Sequence, residues 1–436
     1  MTPALKPFQH VGSLFLAERT RALLADEPGV GKTAQFITAA NLVGARRVGV
    51  VCPDIGTEHW RREFNKWNFK GDRADVISWD EAHEIAAGFK KHGRSAPLPW
   101  DVLIPDESHF GKNPQARRTK SVFGTGGLGW YARRIWAGSG TPAPNNAAEL
   151  WPMLRAFGKT KMDLATFTNY FCVVDGLGKV RGNRADHIDE LRVILKSISL
   201  RRTKADVLPE LGEIDVQEWY VKPSPRFTFD VIPDMQESRL RRLTQGRSDD
   251  EILALLADPS EDFATLRRYN ALLKAPAIFD TVQFEHANGL LDKVVIYGYH
   301  KEALEALQRN FEWAKIDSTL IYGDTPKHER DAMIERWKKK GTVILASIVV
   351  ASTALDFTAA HQGIMIELDW VNGNNSQAMQ RMHRHGQTKP VTIRVALGSH
   401  IDEVVNSVLL RKAKDFAALF GGVLPKESGA DRRAAA

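Results

Sequence analysis

"RALLADEPGVGKTAQFITAANL", Arg21 to Leu42, joins a short apolar run to a turn with two glycines, a Lys-Thr pair and an amphipathic stretch of helix formers. Strand, glycine turn and helix start form the arrangement a nucleotide phosphate requires. Glycines let backbone N–H groups approach the phosphate oxygens, and the N-terminus of the next helix adds a favourable dipole. Gly29, Val30 and Gly31 then supply the cradle, Lys32 reaches the β- and γ-phosphates, and the Thr33 hydroxyl ligates Mg²⁺. The strict pattern has glycine where Asp26 stands, so the segment alone leaves a plain structural turn open.

Working outward, "RRVGVVCP", "WDVLIPD" and "RRIWAGS" repeat the short apolar run, each separated by helix-like sequence. Runs of this kind predict buried parallel strands. They return downstream as "KVVIYGY", "STLIYGD", "GTVILAS", "GIMIELD" and "PVTIRVAL". Two α/β lobes are implied, and 436 residues at 43% hydrophobic suffice to bury both cores. The expected division is a first lobe over 1–220, a connecting, partly helical region over 221–289, a second lobe over 290–420 and a disordered tail over 421–436.

"WDVLIPDESHF" ends a predicted strand in two adjacent carboxylates, Asp106 and Glu107. The C-terminal edge of a parallel sheet is where ligands bind. Phosphoryl transfer needs one acid to hold Mg²⁺ and another to orient the attacking water, so Asp106 suits the first role and Glu107 the second. The rival reading is a helix N-cap followed by a helix-start glutamate.

Net charge is +7, and no acid occurs between Glu107 and Glu149, a stretch holding Lys112, Arg117, Arg118, Lys120, Arg133 and Arg134. Either a polyanionic partner or a solvated basic face accounts for it. No run approaches the roughly 20 apolar residues of a membrane span, and "MTPALKPFQHVG" lacks the order of a signal peptide, so a soluble, cytoplasmic chain is expected. Cys52 and Cys172 make no framework and read as buried free thiols. Trp60, Trp67 and Trp151 lie in helix-like segments and read as core.

Near the end, "QAMQRMHRHGQTKPV" sets Arg381 and Arg384 three residues apart and His383 and His385 two apart. A metal site fits poorly, because residues two apart on a helix diverge and no third ligand stands nearby. A basic binding helix and half of an active site remain.

"DEPGVGKT", "DESHFGKN", "GSGTPAPNNAAELW", "SLRRTKADVLPEL" and "QAMQRMHRHGQTKPV" resemble, in order and spacing, the Swi/Snf-type ATPases of helicase superfamily two, over roughly Leu5 to Leu397. "DESHFGKN" and "ELDWVN" look most like the annealing-helicase branch. The resemblance accounts for Asp26, since these enzymes read D-E-x-G-x-G-K-T. It implies an α/β fold of two RecA-like parallel-sheet lobes with an ATP cleft between them. It also implies that Arg381 and Arg384 are arginine fingers, whose planar guanidinium groups meet phosphate charge bidentately. A spacing of three puts both on one helical face. Gln9 then reads adenine, and Gln377 faces the cleft.

For nucleic acid, the resemblance points to Lys112, Asn113, Ser139, Thr141, Ser352 and Thr353 as DNA backbone contacts, giving salt-sensitive binding with little sequence preference. Ala354 and Asp356 stand where glycine and asparagine are common, which puts lobe coupling in question, while Pro28 in place of methionine only stiffens the loop. The expectation is an ATP hydrolase with ATP and Mg²⁺ as cofactors, a monomer translocating on double-stranded DNA as its lobes open and close. A strand-separating or strand-annealing helicase and a catalytically silent DNA clamp are the alternatives.

Overall fold

The computed structural model describes residues 3–92, 99–227, 261–352, 355–384 and 386–421. Thr353, Ala354, His385, the middle of the expected connecting region and the expected tail from residue 422 lie outside the described residues. The chain forms two compact units, one running through Pro209 and resuming at Lys412, the other spanning Glu210–Arg411.

In the first unit the chain lays down β1 (Arg21–Leu24), β2 (Arg47–Cys52), β3 (Arg73–Ser78), β4 (Trp100–Pro105) and β5 (Ala132–Gly138). A small antiparallel hairpin, β6 (Cys172–Val174) and β7 (Val180–Asn183), and the two-residue β8 (Ser199–Leu200) follow. The sheet order is β3-β2-β4-β5-β1-β8, every pairing parallel. Successive strand residues point to opposite faces, so a continuous apolar run fills two cores. Ala22 and Leu24 join Val48, Val50, Val102 and Ile104 on one face, whereas Leu23 and Ala25 join Val51, Leu103 and Ile135 on the other. Cys52 and Cys172 are free and buried, and burial raises both thiol pKa values, Cys172 to about 11.

The second unit holds β9 (Asp215–Tyr220), β10 (Val294–Gly298), β11 (Ser318–Ile321), β12 (Val343–Ser347), β13 (Gln362–Met365) and β14 (Thr392–Leu397). Their order is β11-β12-β10-β13-β14-β9, again all parallel. Val294 and Ile296 face one core, Val295 and Tyr297 the other.

The units depart from the expected division at three places. β9, expected with the first lobe, completes the second sheet by pairing with β14 from Asp215 opposite Thr392 to Tyr220 opposite Leu397. The helix Glu261–Ala287, expected as connector, packs Ala271, Leu272, Ala275, Ile278 and Val282 into the second unit's core. The helix His400–Phe420 ends in the first unit, where Leu419 is buried, Asn183 Nδ2 donates to the Asp415 carbonyl at 3.1 Å and Phe416 lies 4.8 Å from the Arg201 guanidinium. In each case tertiary packing overrides the position in the chain.

Candidate nucleotide site

β1 leads into the glycine turn. Gly29 and Gly31 have φ of 86° and 84°, a left-handed conformation that side chains resist. A Cβ on Gly31 would also stand 2.4 Å from Gln9 Nε2. Gly31 is the N-cap of the helix Lys32–Leu42 and offers no side-chain cap, which leaves the first-turn N–H groups open to an anion. Lys32 Nζ rests on the Asp26 carbonyl at 2.9 Å. Gln9, on the helix Pro7–Ala17, lies over the turn, its Nε2 donating to the Val30 carbonyl at 3.2 Å and its Oε1 accepting from Lys6 N at 2.9 Å.

The two carboxylates lie level with this turn. β5 separates β1 from β4, and its last residue, Gly138, is opposite Leu24 on one side and Asp106 on the other. Two strand spacings, about 10 Å, therefore part the loop from Asp106. Trp60 Nε1 donates to Asp106 Oδ2 at 2.8 Å, and Trp79 Nε1 to the Asp106 carbonyl at 3.0 Å. Glu107 sits in the left-handed region with φ of 48°, which costs a non-glycine residue roughly 1–2 kcal/mol. Hydrogen bonds from Asp106 N to the Val51 carbonyl and from Phe110 N to the Glu107 carbonyl pin this turn.

Burial, followed by the neighbouring Glu107 charge, pushes the Asp106 carboxyl up to about 6, against the Trp60 bond and the Lys32 charge. Two crowded acids of this kind are what a divalent cation relieves. With the Thr33 hydroxyl at the head of the helix, the donor set fits Mg²⁺, which would supply charge neutralisation at the β- and γ-phosphate oxygens.

From Glu107 a chain of contacts leads away. His109 Nδ1 lies 3.4 Å from Glu107 Oε2 and 3.0 Å from Ser139 Oγ, which accepts from Thr141 N at 3.1 Å. Burial first, then the Lys112 charge, lowers the His109 pKa to about 3, leaving a neutral ring at physiological pH.

The second unit gathers the "QAMQRMHRHGQ" groups otherwise than expected. The helix Asn372–Met379 ends before either arginine, so Arg381 and Arg384 occupy the turns that follow rather than one helical face. Both point at backbone: Arg381 Nε donates to the Ala351 carbonyl at 3.1 Å and Nη2 to that of Ser352, while Arg384 Nη1 reaches the Leu355 carbonyl at 3.3 Å. Arg384 Nε is buried without a partner, and burial lowers its pKa despite Asp356 nearby. Gln377 is 6% exposed and its Nε2 likewise has no partner. His383 Nε2 lies 3.0 Å from the Leu211 carbonyl, an ordinary core contact. Asp356 is held by Lys338 at 2.8 Å and by the Thr358 hydroxyl at 2.9 Å.

Two family models match this chain: an SNF2-related domain over residues 85–226 and a helicase conserved C-terminal domain over residues 279–386. The chain belongs to the Swi/Snf-type ATPases of helicase superfamily two. The SWI/SNF-related matrix-associated actin-dependent regulator of chromatin subfamily A-like protein 1 of Drosophila melanogaster is 28% identical, aligned over 94% of this chain and 55% of its own length. The mouse DNA annealing helicase and endonuclease ZRANB3 is 27% identical over 96% of this chain and 41% of its own length. The chain thus spans about half the length of the curated relatives it matches. Among solved structures, a Sulfolobus solfataricus SWI2/SNF2 ATPase core in complex with dsDNA aligns over 96% of this chain and 97% of that one, at 18% identity and a TM-score of 0.41.

Within this Swi/Snf-type chain the DNA candidates divide by exposure. Asn113 is exposed, with Oδ1 accepting from Gln115 N at 3.0 Å. Lys112 is paired with Glu149 at 3.2 Å. Ser139 is 0% exposed, so its hydroxyl works inside the His109 chain and not as a backbone contact. Ser352 is also buried, donating to the Val349 carbonyl at 2.8 Å. Thr141 Oγ1 is buried without a partner. The exposed cations of the acid-free stretch include Arg117, Arg118, Lys120 and Arg133, whereas Arg134 is spent on the Ala17 and Arg19 carbonyls.

Sequence reasoning missed Trp60 and Trp79, which hold Asp106, and His109. Of the three, His109 alone carried a signal, standing inside "DESH". Among the described residues no helix is long and apolar enough to cross a membrane.

Proposed function

We propose that the chain hydrolyses ATP in response to double-stranded DNA and moves along the duplex as its lobes close and reopen. The observation that carries this reading is the levelling of Asp106 with the Lys32 loop across Gly138, which supports a shared role for the acid and the glycine turn at one end of one sheet. Thr33 and Asp106 would hold Mg²⁺, Lys32 leaves the Asp26 carbonyl for the phosphates, and Glu107 orients the attacking water. Arg381 and Arg384 exchange their loop carbonyls for the γ-phosphate, and this exchange defines the closed state. A guanidinium resting on neutral carbonyls gives up less than one locked to a carboxylate, which suits a group that must be released each cycle.

DNA as the activator is supported by the family and by the exposed cations Arg117, Arg118 and Lys120. The relative named as a DNA annealing helicase makes annealing the second reading. One set of assays separates them. ATP turnover is measured with double-stranded DNA, single-stranded DNA and RNA, followed by displacement of a third strand from a triplex, unwinding of a partial duplex and annealing of complementary strands. The proposal expects the greatest stimulation by duplex and triplex displacement without unwinding. Efficient unwinding favours the strand-separating helicase, ATP-driven annealing without triplex displacement favours the second reading, and DNA binding without turnover leaves a clamp.

A further inference from the structure

Asp26, which stands where the strict phosphate loop has glycine, is completely buried, and Arg202 meets it side-on: Nε lies 3.0 Å from Oδ1 and Nη2 contacts Oδ2. Gln35 closes the triangle. Its Nε2 donates to Asp26 Oδ2 at 3.2 Å, and its Oε1 accepts from Arg202 Nη2 at 2.7 Å. The remaining guanidinium nitrogen, Nη1, reaches the Phe8 carbonyl one residue before Gln9.

The surrounding backbone is fastened in the same way. Ala25 N donates to the Leu200 carbonyl at 2.7 Å, Glu27 N to the Arg202 carbonyl at 3.0 Å, and Lys204 N to Glu27 Oε2 at 2.8 Å. The segment from Leu200 to Lys204 therefore straps the rising arm of the phosphate loop. Gly12 completes the fit: a Cβ there would stand 1.7 Å from Gln35 Oε1 and 2.8 Å from Arg202 Nη2. Only a bare backbone lets the helix that carries Gln9 come so close to the triangle.

Stability alone does not explain a buried ion pair, since an apolar pair of similar volume is often at least as stable. This pair joins three elements that face the nucleotide: the Gln9 helix through Phe8, the loop arm through Asp26, and the Lys32 helix through Gln35. We propose that Arg202, with Asp26 and Gln35, is a positioning centre that fixes the spacing between the Gln9 helix and the phosphate loop, and so sets both the affinity for ATP and the preference for adenine. The inference rests on the nucleotide reading above. The three side chains are engaged with one another and with the Phe8 carbonyl, and lysine cannot replace Arg202, because the fork that grips a carboxylate, an amide and a carbonyl at once is planar and rigid.

Two variants of the full chain test it. Arg202→Lys keeps the charge and loses the fork. Asp26→Asn combined with Arg202→Gln exchanges the ion pair for neutral amides and leaves no unpaired charge buried. Binding of a fluorescent ATP analogue, KM and kcat for ATP and GTP, and the thermal midpoint are measured for each. A charge-assisted hydrogen bond is worth roughly tenfold or more in an equilibrium constant. KM for ATP is therefore expected to rise about tenfold in both variants with kcat changed less, and the ratio of GTP to ATP KM to narrow. In the double variant KM stays raised even where the thermal midpoint recovers. Wild-type KM and base preference in both variants, beside a wild type that binds and hydrolyses ATP, overturn the positioning role and leave the function standing. A wild type that binds no ATP analogue overturns both.

Discussion

Replacing Gly138 with alanine probes the levelling of loop and carboxylate directly. A Cβ at this position would stand 2.9 and 3.0 Å from Phe36 Cε2 and Cζ, and 3.2 Å from Asp106 Oδ1. Carbon atoms prefer about 3.5–4.0 Å, so something must yield by roughly half an ångström. Phe36 is fully buried in the core beneath the sheet and retreats only by displacing its neighbours. Overpacking of this sort costs about 1–3 kcal/mol. For a unit of this size the melting midpoint should fall by roughly 2–12 °C. Asp106 absorbs the rest. An ångström of misplacement costs on the order of 10²-fold in rate, so a shift of a few tenths should lower kcat about three- to tenfold.

The control is Gly129→Ala, in the turn Leu128–Tyr131 that leads into β5 at the end away from the acids, whose Cβ would meet Ile135 Cδ1 at 2.8 Å and the Val122 carbonyl at 3.1 Å. It should destabilise comparably and leave kcat at saturating ATP intact. Thermal unfolding and DNA-stimulated ATP turnover, assayed well below both midpoints, give the comparison. Unchanged kcat in Gly138→Ala, or the same loss in both variants, would refute the reasoning.

Three further predictions concern single groups. Glu107→Gln should bind ATP normally and hydrolyse it about 10²–10⁴-fold more slowly, whereas Lys32→Ala should weaken both steps; equilibrium binding with single-turnover kinetics checks this. Arg381→Ala or Arg384→Ala should cut turnover by on the order of 10³ with nucleotide-free DNA affinity unchanged, while a lost salt slope of binding would make them duplex contacts instead. Glu367 is buried, and although burial raises its pKa, the His300 charge and hydrogen bonds, with Arg267 nearby, hold it down at about 2 against 4.5 unfolded. A depressed carboxyl stabilises above the unfolded value and loses that contribution as pH falls from 4.5 through 2, about 3 kcal/mol in all. Glu367→Gln should flatten the acid limb of denaturant midpoints over that window.

Local chemistry was legible in the sequence. All nine apolar runs form strands, because a run buried on both faces needs no partner's identity to be read. The glycine turn and the carboxylate pair were legible for the same reason, since backbone conformation and strand end are properties of neighbouring residues. β9 was not, because "DVQEWY" is an edge strand with its first three residues exposed and lacks the apolar run, and only its ladder to β14 makes it a strand. The helix expected through Arg384 stops at Met379 because longer-range bonds compete with its continuation. Phe357 N donates to the Arg381 carbonyl at 3.1 Å while the Arg381 side chain serves Ala351 and Ser352.

The sequence by itself determined two parallel α/β units, a glycine turn leading into a helix, a pair of acids at a strand end and two arginines near the C-terminus. Tertiary structure alone decided which side chains attend those groups. Trp60 lies 46 residues from Asp106, Trp79 lies 27, and Arg202 lies 176 from Asp26. Nothing in a tryptophan buried on a helix or just past a strand, or in an arginine after a two-residue strand, announces its partner. A hydrogen bond between distant residues depends on where the sheet order carries their backbones, and strand order is set by the packing of the whole unit rather than by any one segment.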